Sequence, residues 1–313
     1  MPDDVEVRRT LSEPAARQLA NATKTRAQWS GITPRWLVSF LPWVPVEAGI
    51  YRLNRVKDTE GVSDVECSPS RDRDSDLPET FVDYETAPRE YFLNAVTTVL
   101  DVQTRVSDLY NQPYDQIQEQ LRLLIEKVKE RQESELIYNG DYGILTNAAP
   151  FMKISTRRGP PTPDDMDELI ARVWKEPAFF LSHPRAIAAF GRECTRRGVP
   201  PPTINLFGTP FLTWRGIPLV PSDKLKIAES ADGGGTSTIL LLRTGEKKQG
   251  VVGLFQPGVP GEVTPSLSVR FMGINRKAIA SYLISLYCSS AILTPDALGV
   301  LENVEVGHYH EYT

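Results

Sequence analysis

At 313 residues the chain is long enough to bury a large core, as one complex domain or two intimate lobes. With 41% hydrophobic and 24% charged residues it falls among globular proteins and outside the disordered class. A formal net charge of −5 argues against a general nucleic-acid binder, whose footprint is a basic surface.

The opening MPDDVEVRR is acidic and polar, so no secretory signal is expected there. The longest apolar stretch, residues 36–50, is interrupted by Pro42, Pro45 and Glu47 and falls short of the roughly 20 residues a membrane helix needs. No transmembrane segment is expected. Cys67, Cys194 and Cys288 are odd in number and form no CxxC pair, which suits a reducing cytoplasm.

In chain order, residues 15–28 read as a short helix with Ala16, Leu19, Ala20 and Thr23 on one face. The stretch ITPRWLVSFLPWVPVEAGIY follows. Its Trp36, Phe40, Leu41, Trp43 and Val44 must be covered, either by the chain's own core or by a neighbouring subunit that receives an assembly arm. YRLNRV and TFVDYE then read as two strands of a long hairpin around a polar, charged tip.

Thr86 and Pro88 offer an N-cap and a first-turn proline, which predicts a helix running to about Asn111. Ile117, Leu121, Leu124, Ile125 and Val128 lie on one face of a second pattern, with Asn139-Gly140 as its stop. Residues 113–138 would span roughly 40 Å as a single spine helix.

Thr162-Pro163-Asp164-Asp165 is a strong helix opening, with Met166, Leu169, Ile170, Val173 and Trp174 as its buried stripe. Another helix is predicted from about Pro184 to Arg197, ending at Gly198. FLTW-RG-IPLV reads as a hairpin, TILLLR as a buried strand with VVGLFQ as its partner across TGEKKQG, and LSVRFMG as a further strand. Residues 277–293 read as an apolar helix, Thr294-Pro295 as the start of a short one, and NVEVGHYH as a last strand. Helices and strands fall in blocks, which gives an α+β class.

A catalytic reading needs convergent polar groups, and the sequence does not supply them. His183 precedes a proline at a helix start and suits a cap; His308 and His310 lack a third metal ligand nearby. Gly233-Gly234-Gly235 lacks the Lys-Ser/Thr of a phosphate loop and reads as a flexible loop. No enzyme activity, cofactor or metal is expected in this chain.

Long strings carry a family resemblance across nearly the whole sequence: ARQLANATKT, ITPRWL, WVPVEAGIYR, LPETFVDYET, TRVSDLY, VPPPTINLFGTPFLTWRGIPLVPSDK, QGVVGLFQPG, LSVRFMGIN and HEYT. The chain resembles the family 2A encapsulin shell proteins, also described as major membrane protein I. The length leaves no room for the cyclic-nucleotide-binding insertion of the sister family 2B.

The resemblance implies an HK97 phage major-capsid-like fold. Its parts would be an N-terminal arm (1–51), an E-loop (52–88), a P-domain with spine helix (89–161), and an A-domain with C-terminal P-domain elements (162–313). It implies an icosahedral self-assembly, a T=1 particle of about 60 copies. The shell would enclose a cysteine desulfurase cargo that carries the PLP, with a role in sulfur metabolism. Trp36, Phe40, Leu41, Trp43 and Val44 would be the assembly arm. Arg196, Arg197, Gly198, Gly233, Gly234 and Gly235 are candidate pore tips. The alternative on the same fold is a phage or prophage-type major capsid protein.

Overall fold

The computed structural model describes residues 14, 31–54, 56, 84–103, 116–157, 159–229 and 234–309. The expected helix at 15–28 and the tip of the long hairpin lie outside them. The first half comprises α1 (Trp36–Phe40), β1 (Trp43–Pro45), β2 (Ile50–Leu53), β3 (Arg89–Phe92), β4 (Asn94–Gln103) and the spine helix α2 (Gln116–Tyr138). Then come β5 (Lys153–Ser155), α3 (Pro163–Arg172), β6 (Phe179–Ser182), α4 (Pro184–Arg196), β7 (Thr203–Leu206), β8 (Thr209–Trp214), β9 (Ile217–Pro221) and β10 (Ala228–Glu229). The last strands are β11 (Gly235–Leu242), β12 (Val251–Phe255), β13 (Glu262–Thr264), β14 (Leu267–Ile274), β15 (Ile279–Ile292) and β16 (Leu298–Glu305).

Two large sheets organise these elements. One runs β1-β12-β15-β14-β13, with β4 also paired to β15. The other runs β5-β16-β11-β6-β9-β8-β7, with β10 on β11. The spine helix lays Leu121, Leu124, Ile125 and Val128 on Leu267, Ile284 and Leu286 of the first sheet, the face its periodicity predicts. Helices α3 and α4 cover the second sheet through Met166, Leu169, Ala186 and Phe190, packed on Phe180, Ile239 and Leu301.

Several local expectations hold for clear physical reasons. The Thr162 hydroxyl accepts from the Asp165 N–H while the Asp165 carboxylate accepts from the Thr162 N–H, a capping box behind Pro163. The His183 ring Nδ1 accepts from the Arg185 N–H at 3.0 Å, so this histidine is a helix cap. Arg215 (φ 51°) and Gly216 (φ 84°) form the tight turn of the β8–β9 hairpin. β2 pairs with β3, Ile50 opposite Phe92, and Val56 bridges Tyr84, which closes the base of the long hairpin.

Three expectations are corrected. Residues 89–103 are strands: Val96, Thr98, Leu100 and Val102 turn inward while Ala95, Thr97, Val99 and Asp101 face out, a period of two that outweighs the capping signal at Thr86. Residues 277–293 are mostly the strand β15. Its second half is buried on both faces, so the alternation that marks a strand disappears and the run mimics a helix. It is held by β4 on one edge and β14 on the other.

The third correction concerns TILLLR and VVGLFQ. β11 is flanked by β16 and β6, which leaves it no free edge. β12 belongs to the other sheet, between β1 and β15. The 244–250 turn is a crossover between sheets. It is tight enough that a side chain at Gly250 would begin 2.5 Å from the Arg243 carbonyl oxygen.

Candidate assembly surfaces

The apolar stretch after Pro34 is built into its own subunit. Leu37 and Leu41 are buried with Phe179, Phe211 and Leu240. The Trp36 ring meets Phe211 edge-on at 5.2 Å and stacks at 6.2 Å on Phe207, and Phe40 packs on Phe179 at 5.2 Å. Trp43 donates its indole N–H to the Val38 carbonyl at 2.9 Å. Val44 joins Val46, Val252 and Leu254. Leu41, expected in an assembly arm, is therefore a core residue. Trp36, Phe40, Trp43 and Val44 are half-buried on their own chain and leave only their outer edges for a neighbour. Val38 and Trp43 open on a cleft of about 390 Å³, shared with Arg35, Lys129 and Tyr287.

The pore candidates separate. Arg196 and Arg197 end α4, and both guanidiniums close on the buried Glu193 carboxylate, at 2.6 and 2.8 Å. Arg197 also lies 3.5 Å from Asp164. Gly198 (φ 74°) adopts the left-handed conformation that lets the next N–H, that of Val199, return to the Cys194 carbonyl. The segment from Thr195 to Pro200 is exposed throughout. Gly235 is a buried strand residue: its carbonyl accepts from the Val306 N–H, and a Cβ there would begin 2.3 Å from Ile227. It is packed backbone, which corrects its reading as a loop tip. Gly234 lies beside Glu305, and Gly233 is outside the described residues.

Sequence reasoning missed the exposed apolar residues. Trp174, assigned to a buried stripe, is 70% exposed because α3 ends at Arg172 and its ring leaves the helix face. Phe207 is 71% exposed at the tip of the β7–β8 hairpin, in a left-handed conformation (φ 51°) that a bulky residue adopts only under strain. Phe271, Met272 and Ile274 are exposed toward the end of β14. The Phe207-Gly208 pair was the available signal for a turn tip; nothing in the periodicity marks the others.

Among the described residues no three His, Cys, Asp or Glu groups are placed to hold a metal, and no helix is long and apolar enough to cross a membrane. The profile of the family "Type 2A encapsulin shell protein SrpI-like" matches residues 51–308. The type 2A encapsulin shell protein SrpI of Synechococcus elongatus is 66% identical over 302 residues, 96% of each chain. This chain belongs to the type 2A encapsulin shell proteins.

The cryo-EM structure of the holo-SrpI encapsulin complex from Synechococcus elongatus superposes with a TM-score of 0.82 at 62% identity, covering 97% of this chain and 99% of that one. A native GTA particle capsid matches at a TM-score of 0.59 and 13% identity, covering 89% of this chain and 92% of that one, a likeness of fold alone. An encapsulin shell protein is a structural subunit that assembles with copies of itself into a compartment, and is not an enzyme. Surface aromatics such as Trp174 and Phe207 suit that requirement, since a subunit surface rich in exposed apolar side chains gains by being covered.

Proposed function

We propose that this encapsulin shell is an icosahedral T=1 particle of about 60 copies that encloses a cysteine desulfurase and serves sulfur metabolism in the cytoplasm. The reading is carried by the 66% identity to SrpI across 96% of both chains. The cargo would bring the PLP and do the chemistry, while this chain supplies containment, docking surface and pores. The outer edges of Trp36, Phe40, Trp43 and Val44 would meet a neighbour, and Arg196, Arg197 and Gly198 would stand at a pore mouth. There both guanidiniums are paired with Glu193, and Arg197 also with Asp164, so the mouth would carry little net charge.

Native mass spectrometry of particles purified from the source cells tests this directly. A mass near 60 copies, together with a co-purifying cysteine desulfurase bearing PLP, is the expected result. Particles filled with DNA and free of enzyme would replace the reading with a capsid protein, and a different enclosed enzyme would overturn the cargo assignment.

A further inference from the structure

Glu126, Glu130 and Glu133 share one face of α2 at the spacing of successive turns, and two other parts of the chain converge on that face. From the segment preceding α1, the Thr33 N–H and hydroxyl donate to the two Glu130 oxygens at 2.9 and 2.8 Å. Arg35 reaches Glu126 at 2.7 Å and Glu130 at 3.1 Å. From the loop after β9, the Lys224 ammonium lies 2.8 Å from Glu130 and 2.8 Å from Asp223.

Glu133, one turn further along, is 1% exposed. The Ser222 hydroxyl donates to its Oε1 at 2.6 Å, and its Oε2 has no hydrogen-bond partner. The Ser222 N–H is in turn donated to the carbonyl of Ser182, at the end of β6. The spine helix packs on the six-stranded sheet, and Ser222 directly follows β9 and is tied to β6 of the eight-stranded one. Glu133 stands at the joint between the two halves of the subunit.

An ionised carboxylate can only accept, and buried it needs several donors or a paired cation. Glu130 has them: Thr33 donates twice, and Arg35 and Lys224 both reach it. Burial alone would raise its pKa, but the hydrogen bonds from Lys224 and Thr33 hold it below the usual carboxylate value. Glu133 has one close donor. Burial pushes its carboxyl up, against the pull of Ser222, Lys224 and the Val38 N–H, and the negative charge of Asp223 pushes the same way. The other charged groups at this joint are Arg35 from the segment before α1 and Glu126 and Lys129 on α2; His183 ahead of α4 faces Asp223, but burial and Arg185 favour its neutral form.

We propose that Glu133 is a proton-sensitive joint in the shell subunit: neutral, it lets α1, α2 and the loop after β9 close on one another, and ionised it loosens that closure. The proton leaves to and returns from water. An acid whose pKa is raised by folding keeps its proton to higher pH than the unfolded chain does. Its contribution therefore declines as pH rises from about 4.3, the unfolded value, through the folded one, and is level above that.

Purified shells of wild type and Glu133→Gln, melted across that range, provide the test. Glutamine keeps the shape, cannot ionise, and can donate an N–H. Depressed carboxylates such as Glu130 and Asp296 add a slope of the opposite sign to both proteins, so the readout is the difference. The Tm of wild type relative to Glu133→Gln is expected to fall with rising pH, the variant melting higher at the alkaline end. Parallel profiles would overturn the proposal. Ser222→Ala gives an independent reading, including where Glu133→Gln yields no shells. Removing the one close donor is expected to lower Tm more at alkaline than at acidic pH, and an equal loss at every pH would refute the joint.

Discussion

The Trp43 indole lies directly on Gly253: a side chain at 253 would begin 2.7 Å from the ring. The contact follows from the parallel pairing of β1 with β12, in which Trp43 is the register partner of Gly253. Glycine at this place lets the segment after α1 lie flat on the sheet. Gly253→Ala is expected to destabilise the subunit by about 1–3 kcal/mol, the usual cost of overpacking a close contact. A lower denaturant midpoint, with increased proteolysis between Pro42 and Pro45, is the measurement. An unchanged midpoint would mean that β1 can shift without loss.

The capping box of α3 sets a second expectation. Thr162 is buried, and its hydroxyl and N–H are both engaged with Asp165. Thr162→Ala removes the hydroxyl and is expected to cost about 1 kcal/mol. Thr162→Ser keeps the oxygen and should recover most of it. Chemical denaturation of the two variants side by side reads the difference.

The helix starts at Thr162 and His183, the α2 stripe and the Arg215-Gly216 turn were all legible because each is set by neighbours within one or two helical turns. β15 was not, since a strand buried on both faces shows no alternation, and its identity depends on β4 and β14, which are distant in sequence. The misassigned β11–β12 hairpin has the same origin: a turn-like TGEKKQG cannot reveal that both edges of β11 are already taken. Trp36, Phe40 and Leu41 read from the sequence as needing cover, by the chain's own core or by a neighbour. What covers them is Phe179 and Phe211, and tertiary partners of that kind are invisible in local pattern. Family membership is legible in long strings of the sequence, whereas Glu133 gives no local sign of its burial.

Arg243 and Asp296 carry a pH dependence of the opposite sign to that of Glu133. Arg243 is 2% exposed, and its guanidinium donates to both Asp296 oxygens at 2.9 and 3.2 Å and to Thr294 at 2.7 Å. Its hydrogen bonds, with help from Thr294 and Lys175, hold the Asp296 carboxyl far below the usual range despite partial burial. A depressed folded pKa stabilises the protein above the unfolded value of about 3.9, and that stabilisation is lost as pH falls below it. Asp296→Asn is expected to lower stability by about 1–3 kcal/mol near neutral pH, the scale of hydrogen bonds to a charged group. The variant should also lose less than wild type on acidification. Melting curves at neutral and strongly acidic pH separate the two effects.

Phe207 combines three properties that rarely coincide: a left-handed backbone, 71% exposure, and ring contacts with Trp36 and Phe40. The two-residue turn Phe207-Gly208 favours asparagine at the first position, where positive φ costs least. In Phe207→Asn the relief of backbone strain and the loss of the ring contacts oppose each other, each of order 1 kcal/mol. The melting temperature of the isolated subunit is therefore expected to change little. Assembly should respond differently, because an exposed aromatic that is covered between subunits contributes about 2 kcal/mol or more to that contact. Sedimentation at fixed protein concentration is expected to show fewer particles and more free subunits for Phe207→Asn than for wild type. Full particle yield would place Phe207 on a face that stays open to solvent in the shell.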